Sequence, residues 1–125
     1  MEIRKATDDD WADVLRLIRE NPEQLMQDHL PRPTDFFVAV ENDRIIGCCA
    51  LEIYSERLAE VRSLAVDQAQ RGKGIASQLV ERCVQHAKEK QVYEVLAITS
   101  SLPFFEKQGF NTFHNEKYAL LKILG

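Results

Sequence analysis

With 125 residues, 45% of them hydrophobic, the chain has material for one domain around one core and too little for two of ordinary size, so residues 1–125 are expected to form a single domain. The net charge of −4 comes from 16 basic and 20 acidic residues mixed along the sequence, which leaves no basic stripe for nucleic acid. No apolar stretch approaches membrane-spanning length and no leader pattern is seen, so neither a membrane nor a nucleic acid is an expected partner and the expected location is the cytoplasm.

In chain order, residues 2–6 alternate as a short strand, and Thr7 or Asp8 caps a helix whose first turn carries Asp8, Asp9 and Asp10. Trp11, Val14, Leu15 and Ile18 recur at helical spacing and predict its core face. Asn21-Pro22 ends that helix, and residues 23–29 are read as another short one before Pro31 and Pro33. Residues 36–40 and 45–53 flank the turn Glu41-Asn42-Asp43 and predict a hairpin, with the next strand over 59–66. The adjacent Cys48 and Cys49, like Cys83, fall in apolar runs and read as small buried thiols. After a glycine-containing loop over 70–74, Ile75, Leu79, Val80, Cys83, Val84 and Ala87 keep helical spacing up to the cationic turn at 88–90. A strand over 92–98, a short helix over 103–108 stopped by Gly109, and a closing hairpin of 110–114 with 118–123 complete the reading. This order predicts an α/β (α+β) fold, a mixed sheet with helices on its faces.

The chemistry-bearing segment is Gln70-Arg71-Gly72-Lys73-Gly74-Ile75-Ala76, two glycines and two cations where a strand passes into a helix. Helix starts leave backbone N–H groups unpaired and carry roughly half a positive charge, so such a turn is an anion site. Glycine there lets a phosphate approach the backbone, or only relieves strain in a tight turn. Neither nucleotide fingerprint fits. No Gly-Lys-Ser/Thr follows as in a P-loop, and Ser77 stands where the dinucleotide motif needs its third glycine. His29 and His114 share no metal-ligand spacing with each other or with the cysteines, so no metal is expected.

The segment Arg71-Gly72-Lys73-Gly74-Ile75-Ala76 resembles the Gln/Arg-x-x-Gly-x-Gly/Ala signature of the GNAT acetyltransferase superfamily, and Phe104-Phe105-Glu106-Lys107-Gln108-Gly109-Phe110 looks like the second motif of that family. Residues 58–66, Leu-Ala-Glu-Val-Arg-Ser-Leu-Ala-Val, are most similar to the acetyltransferase domain of N-acetylglutamate synthases. The resemblance implies about six or seven strands flanked by about four helices, acetyl-CoA as co-substrate and a primary amine of a small molecule, such as the amino acid glutamate, as acceptor; it also allows a homodimer. By the same resemblance Leu64, Ala65, Val66, Gln70, Arg71, Gly72, Lys73, Gly74, Ile75, Ala76, Ser77, Phe104, Phe105 and Lys107 would face acetyl-CoA, with Ser63 and Arg62 at the acceptor. A carboxylate-bearing acceptor would suit the guanidinium of Arg62.

Glu60 matches the strand position where some relatives keep a catalytic glutamate, which makes it the expected general base. The other reading is an ion pair between Glu60 and Arg62, since strand alternation places Glu60, Arg62 and Leu64 on one face. Many relatives carry a tyrosine where this chain has Phe105, and phenylalanine donates no proton; water, Ser100 or Ser101 would have to assist the leaving thiolate. Two alternatives therefore stand beside a small-molecule N-acetyltransferase: an acyl-CoA-binding sensor with little turnover, and a protein N-acetyltransferase.

Overall fold

The computed structural model describes residues 1–112 and 117–125. Strand β1 (Glu2–Lys5) lies antiparallel to β2 (Phe36–Glu41), which turns back into β3 (Arg44–Ile53). The two-residue turn Asn42-Asp43 has φ of 51° and 63°. These are left-handed values that Asn and Asp tolerate and that match the twist of a hairpin. Strand β4 (Leu58–Val66) continues the antiparallel run, and β5 (Glu94–Ala97) joins it in parallel, giving the order β1-β2-β3-β4-β5.

Helices cover both faces. Side chains of successive strand residues point to opposite sides of a sheet. Accordingly Phe36, Val38, Cys48 and Ala50 pack with Val14, Leu17 and Ile18 of α1 (Trp11–Arg19). Phe37, Ala39, Cys49 and Leu51 pack instead with Ile75, Leu79, Val80, Cys83 and Ala87 of α2 (Ile75–Glu89). Gly47 lets α2 lie close: a Cβ there would come within 3.0 Å of Leu79 Cδ1 and 3.3 Å of Ile75 Cγ2. All three cysteines are free and buried, as their apolar surroundings predict, and burial pushes the Cys48 thiol up to about 12. The short α3 (Leu102–Lys107) ends at Gly109, φ 91°, with Gly109 N–H on Glu106 O and Phe110 N–H on Phe105 O, both at 3.0 Å.

Several expectations are corrected. The buried stripe of α1 is Val14, Leu17 and Ile18, with Leu15 at its margin. Residues 23–29 form turns, not a helix, because only Leu25 among them is even half-buried and a helix would have no apolar face to lay down. The described part of the predicted closing hairpin has no strand, and Tyr118, Leu120, Leu121 and Ile123 stay exposed without laying a face on the core; residues 113 and 114 lie outside the described residues. Five strands and three α-helices are thus described where six or seven and about four were expected. The class, a mixed sheet flanked by helices, is as predicted.

Leu64 is also on the opposite face from Glu60 and Arg62. The ladder pairs Cys48 with Ala65 but Ala50 with Arg62, so β4 carries one extra residue there, and Ser63 takes φ 55°. A bulge of this kind inverts the alternation that follows it. Ala59 and Val61 therefore face α2, Ala65 faces α1, and Leu64 and Val66 pack on the α2 side.

Candidate active site

Strands β4 and β5 pair only from Leu58–Glu94 to Val61–Ala97. Beyond that point β4 runs on to Val66 while the chain turns away from β5, so among the described residues no strand covers this edge of β4. A cavity of about 820 Å³ opens where they part. Its walls are residues 60–66 of β4, the loop and first turn of α2 at 70–77 without Lys73, the turns after α1, residues 98–101, Phe104 with Phe105, and Leu121.

At one end lies the glycine loop. The Asp67 carboxylate accepts from Ala69 N–H at 3.0 Å and holds a single 3-10 turn, Gln68–Gln70, while its other oxygen pairs with Arg44 at 3.0 Å. Gly72 and Gly74 follow with φ of 82° and 78°. An L side chain would cost roughly 1–2 kcal/mol in such a left-handed conformation. Gly74 is the N-cap of α2 and offers no side chain to its first turn, whose residues Ile75, Ala76 and Ser77 line the cavity. The first-turn N–H groups of a helix have no intrahelical partner, so this end of the cavity presents backbone donors. Arg71 adds positive charge there, bonded to the neutral Asn21 Oδ1 at 2.9 Å; Lys73 bonds Gln70 Oε1 at 2.9 Å and lies outside the wall, as does Lys107. Ser77 Oγ accepts from Gln108 Nε2 at 2.9 Å.

The other end is acidic. Glu60 lines the cavity, and directly across the β3–β4 ladder stands Glu52. Glu60 and Arg62 are not paired to each other. Arg62 Nη1 meets Glu52 Oε2 at 3.1 Å and its Nη2 donates to His29 O at 2.9 Å, while Glu60 Oε1 accepts from the Tyr54 hydroxyl at 2.6 Å. Burial, the bond to Glu60 and the nearby Glu52 carboxylate push the Tyr54 hydroxyl above its ordinary value. Tyr54 is not among the site residues expected from the sequence. The pairing was nonetheless available from the hairpin: Tyr54 N–H bonds Leu58 O, which leaves Glu60 on the neighbouring diagonal. Phe105 is buried, packed edge-to-face on Phe104 at 5.0 Å and on Phe110 at 5.3 Å, and forms cavity wall as well as core.

Two strands parting beside an uncapped, glycine-started helix is an arrangement for holding an extended ligand with an anionic end. Residues 2–110 match the family model of the acetyltransferase (GNAT) family. The chain belongs to that family. Among curated relatives it is 42% identical over 84 residues to a protein named an uncharacterized N-acetyltransferase of Chlorobaculum tepidum, covering 67% of this chain and 54% of that one. It is 37% identical over 79 residues to the amino-acid acetyltransferase of Mycobacterium tuberculosis, covering 61% and 45%. The chain thus spans about half the length of these curated relatives. In structure it is similar to a Mycobacterium tuberculosis protein in complex with CoA and NLQ, with a TM-score of 0.84, 29% identity and coverage of 90% and 73%. The fold also matches N-acetylglutamate synthase from Neisseria gonorrhoeae, with a TM-score of 0.81, 23% identity and coverage of 89% and 28%. No described helix of this GNAT chain is long and apolar enough to cross a membrane.

Proposed function

We propose that this chain is an acetyl-CoA-dependent N-acetyltransferase acting on the primary amine of a small molecule. One observation carries the reading: the free edge of β4 leads directly to a helix start built from two left-handed glycines. The donors present fit the co-substrate. Residues 64–66 would hydrogen-bond the amide-bearing pantetheine arm along the free edge. The N–H groups of Ile75, Ala76 and Ser77, with Arg71, would hold the pyrophosphate, for which Gly72 and Gly74 leave the approach open. Acetyl-CoA supplies an activated acyl group as a thioester. A backbone N–H near Leu64 or Val66 would polarise its carbonyl, an interaction worth about 3 kcal/mol of barrier in comparable sites.

Glu60 would take the proton of the acceptor ammonium, directly or through one water, at the acidic end of the cavity. An amino acid is the acceptor class that the names of the relatives support. The Phe105 ring favours a second reading, an acyl-CoA-binding protein with little turnover, since it cannot protonate a leaving thiolate. Both readings meet in one assay: thiol release from acetyl-CoA over a panel of amines, with calorimetric acetyl-CoA binding beside it. Acceptor-dependent release is expected. Glu60→Gln should lower kcat about 100-fold or more while acetyl-CoA affinity stays within about twofold. Binding without release would favour the second reading, and wild-type turnover in Glu60→Gln would remove Glu60 from the mechanism.

A further inference from the structure

We propose that Tyr54 is a positioning residue for Glu60, holding one carboxylate oxygen so that the other faces the cavity. This rests on the reading of Glu60 as general base. Glu60 stands opposite Glu52 in the β3–β4 ladder, and two carboxylates so placed repel each other. The basic side chain two residues along β4, Arg62, offsets part of this repulsion by pairing with Glu52 Oε2, but its guanidinium, held there and on His29 O, makes no bond to Glu60. The partner that Glu60 does have is the Tyr54 hydroxyl, 2.6 Å from Oε1. That distance is in the range of charge-assisted O–H···O⁻ bonds, about 2.5–2.7 Å.

The bond fixes the carboxylate in rotation as well as in place. With Oε1 occupied, Oε2 is left for an ammonium or a water, and a general base works only within hydrogen-bond reach of the proton it takes. Tyr54 itself is outside the cavity wall, and the residue is 51% exposed. It therefore acts through Glu60 and transfers no net proton. Its exposure also means that Tyr54→Phe, which removes only the hydroxyl, leaves the core intact.

The test is steady-state thiol release by wild type, Tyr54→Phe, Glu60→Gln and the double variant, with acetyl-CoA varied at a fixed acceptor concentration. Tyr54→Phe should lower kcat about tenfold, the size that a hydrogen bond to a charged group carries, with KM for acetyl-CoA within about twofold and melting unchanged. Added to Glu60→Gln it should do nothing more, because two residues that act as a unit are not additive. Wild-type kcat in Tyr54→Phe, or the same loss in both backgrounds, would overturn the inference. A crystal structure of Tyr54→Phe gives a readout independent of turnover. The Glu60 carboxylate should leave its place at the cavity wall, and an unmoved carboxylate overturns the inference even where no amine supports turnover. If Glu60→Gln keeps full activity, the general-base reading falls, and the crystal structure still decides what Tyr54 does to Glu60.

Discussion

The N-terminal strand is joined to the first helix by one buried carboxylate, and its removal has a size that can be worked out. Asp10 Oδ2 accepts from Arg4 Nη1 and from Thr7 N–H, both at 2.7 Å, and Oδ1 accepts from Arg4 Nη2 at 3.2 Å. The Arg4 guanidinium, with help from the Thr7 bonds, pulls the Asp10 carboxyl from its ordinary 3.8 down to about 2. That difference corresponds to about 2.4 kcal/mol. Arg4 is 37% exposed, so solvent screening reduces the expected contribution to about 1–2 kcal/mol. Because the folded value is depressed, this stability is fully present above pH 3.8 and is lost as the pH falls through about 2. Urea unfolding of wild type and Asp10→Asn should therefore differ by about 1–2 kcal/mol at pH 7, with the gap falling to less than half by about pH 2.5. A gap that stays constant across this range would show that the lost stability is neutral hydrogen bonding and that the charge on Asp10 contributes nothing.

Two further substitutions probe the ends of the cavity. Gly74→Ala forces a side chain into φ 78°, although its Cβ would meet nothing within 4 Å. It should cost about 1–2 kcal/mol of stability and, by calorimetry, weaken acetyl-CoA binding about tenfold; a loss of stability with unchanged affinity would mean that the loop does not hold the pyrophosphate. Glu52→Gln removes the charge that occupies Arg62. Thiol-release assays should then show kcat/KM for a carboxylate-bearing acceptor rising about threefold or more relative to a neutral amine, and an unchanged ratio would show that Arg62 does not reach the acceptor.

Legibility followed periodicity and turn chemistry. The hairpin around Asn42-Asp43, the long helix from Ile75 and the glycine stop at Gly109 each pair an apolar pattern with a residue whose backbone freedom the local geometry uses, and each stands where the sequence places it. The run from residue 23 to 29 carried helical residue types without an apolar face, and propensity alone does not hold a short helix in water. The loop was legible for a similar reason: glycine at positive φ next to a helix start is a local signal. The partners of Arg62 and Glu60 were not, because they come from β3 and from the turns after α1, and pairing across strands depends on register.

The bulge at Ser63 shows most clearly what the alternation of residues cannot give. Read as an unbroken strand, β4 would carry Glu60, Arg62 and Leu64 on the α1 face. The extra residue between the Ala50–Arg62 and Cys48–Ala65 pairs turns Leu64 and Val66 toward α2, on the same side as Phe105 and the start of that helix. Glu60 and Arg62, before the bulge, stay on the face reached by Met26 and His29. One inserted residue thus divides a nine-residue strand into a segment that meets Tyr54, Glu52 and the turns after α1 and a segment that meets the glycine-started helix. Bulges also bend the strand that carries them, and this one lies just past the Val61–Ala97 pair, where β4 and β5 part and the cavity opens. The bulge at Ser63 therefore separates the Glu60 end of β4 from the end that meets the glycine-started helix. Sequence periodicity, which assumes a regular strand, carries no term for it.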